Sequence, residues 1–205
     1  MTNPVYLDYN ASAPLCHEAR QAMHAAMEVA GNPSSVHASG RAARKIVDHA
    51  RRRIADLVGG DAERVIFTSG GTEANNLALN GLEGVTVFTS AVEHPSVIEA
   101  RSDAKRIPVD ANGVIDLAAL ETMLKAASDA GQKVLVSVML ANNETGVIQP
   151  VAKVGLLARE YGAKVHCDAV QALGRMPVDM GQLLVDMVSI SAHKIGGPKG
   201  VGALA

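Results

Sequence analysis

The chain has 205 residues, of which 48% are hydrophobic and 20% are charged, a composition typical of a soluble globular protein of one or two domains. Its formal net charge of −2 gives no basis for binding nucleic acid or an acidic membrane surface. Two cysteines are too few for a disulfide framework, and no apolar run reaches the roughly 20 residues that a membrane helix needs. With no signal peptide apparent, we expect a cytoplasmic protein.

Two helices are predicted in the first part of the chain, after a short extended segment at residues 5–9. An alanine-rich stretch with apolar residues at helical spacing predicts a helix over about 15–29, which the sequence GNP at 31–33 ends. The second is predicted over about 39–57, where apolar residues keep the same spacing up to GGD at 59–61.

From residue 64 onward, apolar runs rich in β-branched residues alternate with helical segments. Strands are predicted at 64–69, 85–91, 106–109, 134–140, 164–169 and 186–191, and helices from 72, from 95, at 117–127 and at 151–161. This alternation implies βαβ crossovers and a mostly parallel sheet. A last run, 201–205, follows a turn too short for a crossover and must return antiparallel. We therefore predict a three-layer α/β fold with a seven-stranded sheet whose last strand is antiparallel.

Polar residues follow several of these strands at their carboxyl ends, where open α/β sheets bind ligands. Gly71 and Thr72 open a helix after the first strand, which suits a phosphate, although a plain turn with an N-cap explains them equally well. His94 follows the second strand, as a ligand contact or as a structural hydrogen-bonding residue. Lys194 follows the sixth strand, where it is either a solvated surface lysine or an amine that forms a Schiff base with a carbonyl cofactor.

The remaining strand-end groups complete a set that one ligand, pyridoxal 5′-phosphate, would use. Asp168 ends an apolar strand and needs a cationic partner, which a protonated pyridine nitrogen provides. The amides of Asn143 and Gln171 suit the ring oxygen. Gly71 and Thr72 would bind the phosphate, His94 would lie on the ring face, and Lys194 would react with the aldehyde. Every strand-end residue of the set then contacts a part of the cofactor.

The sequence resembles the class V aminotransferase group of fold-type I pyridoxal-phosphate enzymes, and within it the cysteine desulfurases that supply sulfur to nitrogenase and iron–sulfur clusters. The matching stretches are YLDYNA at 6–11, GNPSSVH at 31–37, TSGGTEANN at 68–76, EH at 93–94, NNETG at 142–146, HCDAVQ at 166–171 and SAHKIGGPKG at 191–200.

The resemblance implies specific roles. Lys194 carries the cofactor and moves the substrate's α-proton, and His94 stacks on the ring and serves in acid–base steps. The implied phosphate contacts are Gly71, Thr72, Ser191 and His193; the ring contacts are Asn143, Asp168 and Gln171; the substrate contacts are Asn10 and Asn143. No metal is implied. L-cysteine would yield alanine, with its sulfur held as an enzyme persulfide and passed to an iron–sulfur scaffold or another acceptor protein. Members are homodimers.

The resemblance also implies an N-terminal arm at 1–14 and a cofactor-binding large domain at 15–205 that stops before a small domain. That small domain would carry the attacking cysteine and the arginine for the substrate carboxylate. Cys16 and Cys167 are expected to have packing roles instead. Two alternatives stay open: another class V enzyme, such as an aminotransferase or a selenocysteine lyase, and an inactive cofactor-binding fragment that acts with a partner chain.

Overall fold

A computed structural model describes residues 5–205, so residues 1–4 of the predicted arm lie outside the described part. Two helices precede the sheet, α1 (His17–Met27) and α2 (Ala38–Val58). Cys16 is the N-cap of α1, where its Sγ accepts a hydrogen bond from the Ala19 N–H. α2 ends at Gly59 in the left-handed conformation, as the predicted stop signal requires.

Seven strands form one sheet in the order β1-β7-β6-β5-β4-β2-β3. The strands are β1 (Ile66–Thr68), β2 (Val85–Ser90), β3 (Lys105–Ile107), β4 (Lys133–Met139), β5 (Lys164–Asp168), β6 (Met187–Ser191) and β7 (Gly202–Leu204). The pairs from β6 through β3 are parallel, whereas β7 runs antiparallel to both β6 and β1. The predicted fold class, including the reversed last strand, is confirmed.

Five further helices connect the strands: α3 (Gly71–Asn80), α4 (Pro95–Ile98), α5 (Leu117–Asp129), α6 (Val151–Glu160) and α7 (Met180–Leu183). The sequence reasoning missed α7. This single turn is capped by Asp179 and ends at Leu184 with φ 58°, so it is too short to show a helical period. A 3-10 turn, Ala192–Lys194, follows β6 directly and also has no periodic signal.

The sheet is covered on both faces. Helices α2, α5 and α6 pack on one face in the larger apolar cluster, and α3 packs on the other in a smaller one. Within residues 5–205, no helix combines the length and the apolar character needed to cross a membrane.

Gly202 shows why β7 can begin so close to the start of α3. A Cβ built on Gly202 would lie 2.6 Å from the backbone carbon of Gly70, a distance that backbone packing cannot accommodate. The glycine therefore lets the reversed strand pass directly under the turn that opens α3, at the edge of the sheet where the polar residues gather.

Candidate active site

A cavity of about 170 Å³ lies at the carboxyl ends of β2, β4, β5 and β6, beside the first turn of α3. All of the residues predicted to bind a cofactor line it: Gly71, Thr72, His94, Asn143, Asp168, Gln171, Ser191, His193 and Lys194. These residues come from separate segments of the chain, and the parallel pairing of adjacent strands brings their strand ends to one place. Their roles toward a ligand remain a proposal, but their convergence is a feature of the fold.

The start of α3 forms one wall of the cavity. Its N-cap residue, Gly70, supplies no side-chain hydrogen bond, so the first N–H groups of this ten-residue helix have no capping side chain among the described residues. A Cβ on Gly71 would lie 2.7 Å from Val170 Cγ2, so the helix start can sit this deep only with a glycine there. Free N–H groups at the positive end of a helix dipole form an anion-binding site.

Two further groups face this anion site. Ser191 is 3% exposed, and its buried Oγ has no hydrogen-bond partner in the described chain. Burial, with the positive charges of Lys194 and Lys199, lowers the pKa of His193, which favours the neutral imidazole with a single N–H. Its Nδ1 lies 3.3 Å from Ser12 Oγ.

Asp168 lies at the cavity floor with fixed partners on both carboxylate oxygens. The Val170 N–H donates to Oδ1 at 2.9 Å, and Asn75 Nδ2 donates to Oδ2 at 2.7 Å. Burial raises the pKa of Asp168, while these two hydrogen bonds and the positive charge of Lys194 oppose the rise. The carboxylate still lacks a full counter-charge, which a protonated pyridine nitrogen would supply.

Lys194 reaches the cavity from the 3-10 turn after β6, and its Nζ donates to the backbone carbonyl of Asn10. Burial and the positive charge of Arg175 lower the pKa of Lys194, against the opposing effect of nearby carboxylates that include Asp168. A lowered pKa leaves more of the amine unprotonated, and the neutral amine is the form that attacks a carbonyl carbon.

Asn10, in the N-terminal segment, contacts both of the predicted amide residues, Gln171 and Asn143. Gln171 Nε2 donates to the Asn10 carbonyl at 2.9 Å, and its Oε1 accepts from Arg175. Asn10 Nδ2 donates to the backbone carbonyl of Asn143 at 3.2 Å. Asn10, predicted as a substrate contact, is therefore placed beside the cavity, where its carbonyl contacts both Lys194 and Gln171.

Sequence reasoning did not assign several residues at the site. Asn75 and Ser96 line the cavity together with Met139, Ala141 and Val170. Asn75 is four residues after Gly71 and thus on the same face of α3, a spacing that could have revealed it. Glu93 is 5% exposed and accepts from Ser90 Oγ and, at 2.9 Å, from the Met139 N–H. Burial raises the pKa of Glu93 to about 8.

Neither cysteine lines the cavity. Cys167 is fully buried in the larger apolar cluster, on the sheet face opposite Asp168, and burial raises the pKa of its thiol well above the ordinary value. Cys16 caps α1. The surroundings of Cys167 agree with the predicted packing role, whereas Cys16 is exposed and acts as a helix cap.

The donor set fits pyridoxal phosphate. A buried hydroxyl without a partner and an uncapped helix start face one end of the cavity, a buried carboxylate lies on its floor, and an amine of lowered pKa lies at its side. Pyridoxal phosphate would use an anion cradle, a carboxylate and an amine at these positions together.

Comparisons with known proteins agree with this site. A model of the family described as aminotransferase class-V matches residues 5–205. The cysteine desulfurase IscS of Dictyoglomus turgidum is 42% identical over all of this chain, which covers 54% of its length. The IscS of Pectobacterium atrosepticum is 40% identical, with the same coverage. The chain thus spans about half the length of the curated relatives that it matches.

Solved structures show the same likeness. The NifS-like protein from Rickettsia africae superposes with a TM-score of 0.89 at 38% identity, covering 98% of this chain and 57% of its own. SspA, solved in complex with cysteine, superposes with a TM-score of 0.83 at 31% identity, covering 97% and 60% respectively. Enzymes of this group use pyridoxal phosphate. The sheet, the strand-end site and these relatives agree, and the chain belongs to the class V aminotransferase family.

Proposed function

We propose that the protein is a pyridoxal-phosphate-dependent cysteine desulfurase, which converts L-cysteine to L-alanine and passes the sulfur to an acceptor. The observation that carries the proposal is the meeting of Lys194, Asp168, His94 and the start of α3 around one cavity. The names of its relatives support cysteine as the substrate, because the curated ones are cysteine desulfurases and one solved relative holds cysteine.

The cofactor, when bound, withdraws electrons from the α-carbon of the amino acid joined to it. In our proposal the chain holds it by two kinds of contact. The first N–H groups of α3, with Gly71, Thr72, Ser191 and His193, bind the phosphate. Asp168 accepts a hydrogen bond from the ring nitrogen and keeps it protonated.

The remaining residues orient the ring and move protons. His94 covers one face of the ring, and Asn143 and Gln171 hold the ring oxygen. Lys194 Nζ attaches the cofactor and later carries the proton of the substrate's α-carbon, a task for which its lowered pKa fits it. Asn10 and Asn143 are proposed to contact the substrate.

The sulfur-accepting thiol is neither Cys16 nor Cys167 in this proposal. One caps a helix and the other lies on the far face of the sheet, so both are outside the cavity. The acceptor thiol must therefore be brought to the cavity by another segment or another protein.

We further propose that the protein is a cytoplasmic homodimer that serves iron–sulfur cluster assembly through a scaffold or another acceptor protein, with residues 1–14 as an arm on the cofactor domain, 15–205. The exposed apolar side chains near the N-terminus support a covered surface in the assembly: Val5 is 80% exposed, Leu7 79% and Val36 88%. Light scattering of the purified protein would give twice the mass of one chain.

Product analysis tests the activity. The intact protein, supplied with pyridoxal phosphate, L-cysteine and a thiol reductant, should release alanine and sulfide in equal amounts, and the Lys194→Ala variant should release neither. A keto acid as the product would replace the desulfurase proposal with an aminotransferase. Turnover of selenocysteine in strong preference to cysteine would replace it with a selenocysteine lyase.

A further inference from the structure

A continuous line of hydrogen bonds joins His94, above the cavity, to Asp168 at its floor. His94 Nδ1 lies 2.8 Å from Ser96 Oγ. Asn75 Nδ2 donates to the same Oγ at 2.9 Å and to Asp168 Oδ2 at 2.7 Å. Asn75 is 1% exposed and Asp168 6%, so water does not compete with these contacts at the Asp168 end.

The hydrogens along this line can be assigned from its chemistry. Both hydrogens of Asn75 Nδ2 are used, one toward Asp168 and one toward Ser96. Ser96 Oγ therefore acts as an acceptor toward Asn75, and its single hydrogen is free to point at His94 Nδ1. The amide cannot be reversed against an ionised Asp168, because two acceptor oxygens would then face each other.

His94 Nδ1 receives a second donor. The backbone N–H of Ser96 donates to it at 3.1 Å, the N-cap bond of α4. A ring nitrogen that accepts from an O–H and an N–H carries no hydrogen of its own, so the hydrogen of the neutral ring is on Nε2. The tautomer of His94 is thus determined by its neighbours.

We propose that Asn75 and Ser96 are positioning residues that use the charge of Asp168 to hold His94 in its Nε2–H tautomer and in one orientation over the cavity. The inference rests on the proposed function in that His94 and Asp168 are the two residues assigned to the ring. It assigns the proton-exchanging atom of His94 as Nε2, since Nδ1 is engaged by Ser96.

The line orients but does not conduct protons. An amide nitrogen neither gains nor loses a proton under ordinary conditions, so Asn75 separates the acid–base chemistry of Asp168 from that of His94. Ser96 is also more than a helix cap. The cap bond comes from its backbone N–H, whereas the link to Asn75 comes from its hydroxyl, so the two functions can be separated by substitution.

Nitrogen NMR of the intact protein labelled with 15N-histidine tests the tautomer directly, without cofactor and without turnover, at a pH where imidazoles are neutral. His94→Gln identifies the signals of His94. In the unsubstituted protein we expect one acceptor-type nitrogen, Nδ1, and one N–H nitrogen, Nε2, well separated in shift. Ser96→Ala removes the hydroxyl, one of the two donors to Nδ1, and keeps the backbone N–H. The preference for Nε2–H should therefore weaken without vanishing, and the two signals should move toward each other as the Nδ1–H tautomer becomes partly populated.

Ser96→Thr is the matched control, because it retains a hydroxyl on Cβ and should restore the separation. Asn75→Ala should shift the signals in the same direction as Ser96→Ala, since Ser96 Oγ is then free to turn away from His94. A hydrogen on Nδ1 in the unsubstituted protein would overturn the inference. So would an unchanged spectrum in Ser96→Ala, whatever that variant does to thermal stability. If the spectra behave as expected but cysteine yields no alanine, the proposed function fails and this inference stands.

Discussion

The two faces of the sheet differ along the same strands. On β4, Val134, Val136 and Val138 point into the larger apolar cluster beneath α5 and α6. Their neighbours point to the face that α3 covers, and there the chain changes from Leu135 to Ser137 as it approaches the cavity. On β4, β5 and β6 the face toward α5 and α6 is apolar, whereas the α3 face carries polar residues near the carboxyl ends of these strands.

The middle of this polar stretch is buried and paired. His166, with no exposed surface, lies between Ser137 Oγ at 2.9 Å and Ser189 Oγ at 2.8 Å, and burial lowers its pKa to about 3. Asp168 follows two residues later on the same face. The two faces therefore have different functions. The apolar face stabilises the fold, whereas on the α3 face buried polar groups replace apolar contacts and hold the site residues in place.

The largest expected effect is on the apolar face. Leu124 of α5 is 1% exposed in the larger cluster, so Leu124→Ala should lower the free energy of unfolding by about 2–5 kcal/mol, through lost burial and the cavity that remains. Urea unfolding measures this. The protein that stays folded should bind pyridoxal phosphate as before.

Leu156→Ala on α6 is the control for that substitution. Leu156 is 55% exposed, so its truncation should change stability by no more than about 0.5 kcal/mol. Equal losses in the two variants would contradict the assignment of Leu124 to the buried core.

On the α3 face, Asp168→Asn should weaken cofactor binding and leave the fold intact. It removes the charge beside the ring nitrogen, and Asn75 can turn its unpaired Oδ1 toward the new amide, so the fold should be kept. A hydrogen bond to a charged group contributes about 1.5–3 kcal/mol, which corresponds to a loss in cofactor affinity of roughly 10- to 100-fold. Titration of the cofactor-free protein measures the dissociation constant. Unchanged affinity would show that Asp168 does not contact the ring.

Glu93 should give the stability of the fold a pH dependence. Its folded pKa of about 8 lies above the ordinary value of 4.5 for a glutamate, so between these values the folded state keeps a proton that the unfolded state has released. Stability from this group is therefore complete below about pH 4.5 and decreases as pH rises toward 8, by at most about 1.4 kcal/mol per pH unit.

Glu93→Gln, which mimics the protonated acid, should remove that slope. Relative to the unsubstituted protein, the variant should gain stability steadily as urea unfolding is repeated from pH 5 to pH 8. Parallel curves for the two proteins would mean that Glu93 is ionised in the folded state.

Much of the fold was predictable because its signals are local. The apolar runs and the glycine stops predict the strands and long helices, and the short turn after Lys194 predicts the reversal of β7. The cavity-lining residues were predictable from strand ends once the sheet was known. The links among them were not. Asn75 reaches Asp168 across 93 positions, and Asn10 reaches Asn143 across 133, so their pairing depends on tertiary packing. The single turn α7 was missed because four residues carry no period.

The central claim is that the polar end of the α3 face holds pyridoxal phosphate through Lys194. Borohydride reduction of the cofactor-loaded protein, followed by proteolysis and mass spectrometry, tests it most directly. We expect a phosphopyridoxyl group on the peptide that contains Lys194, and no label in Lys194→Ala. A label on another lysine, such as Lys199 on the neighbouring turn, or a protein that takes up no label at all, would contradict the account.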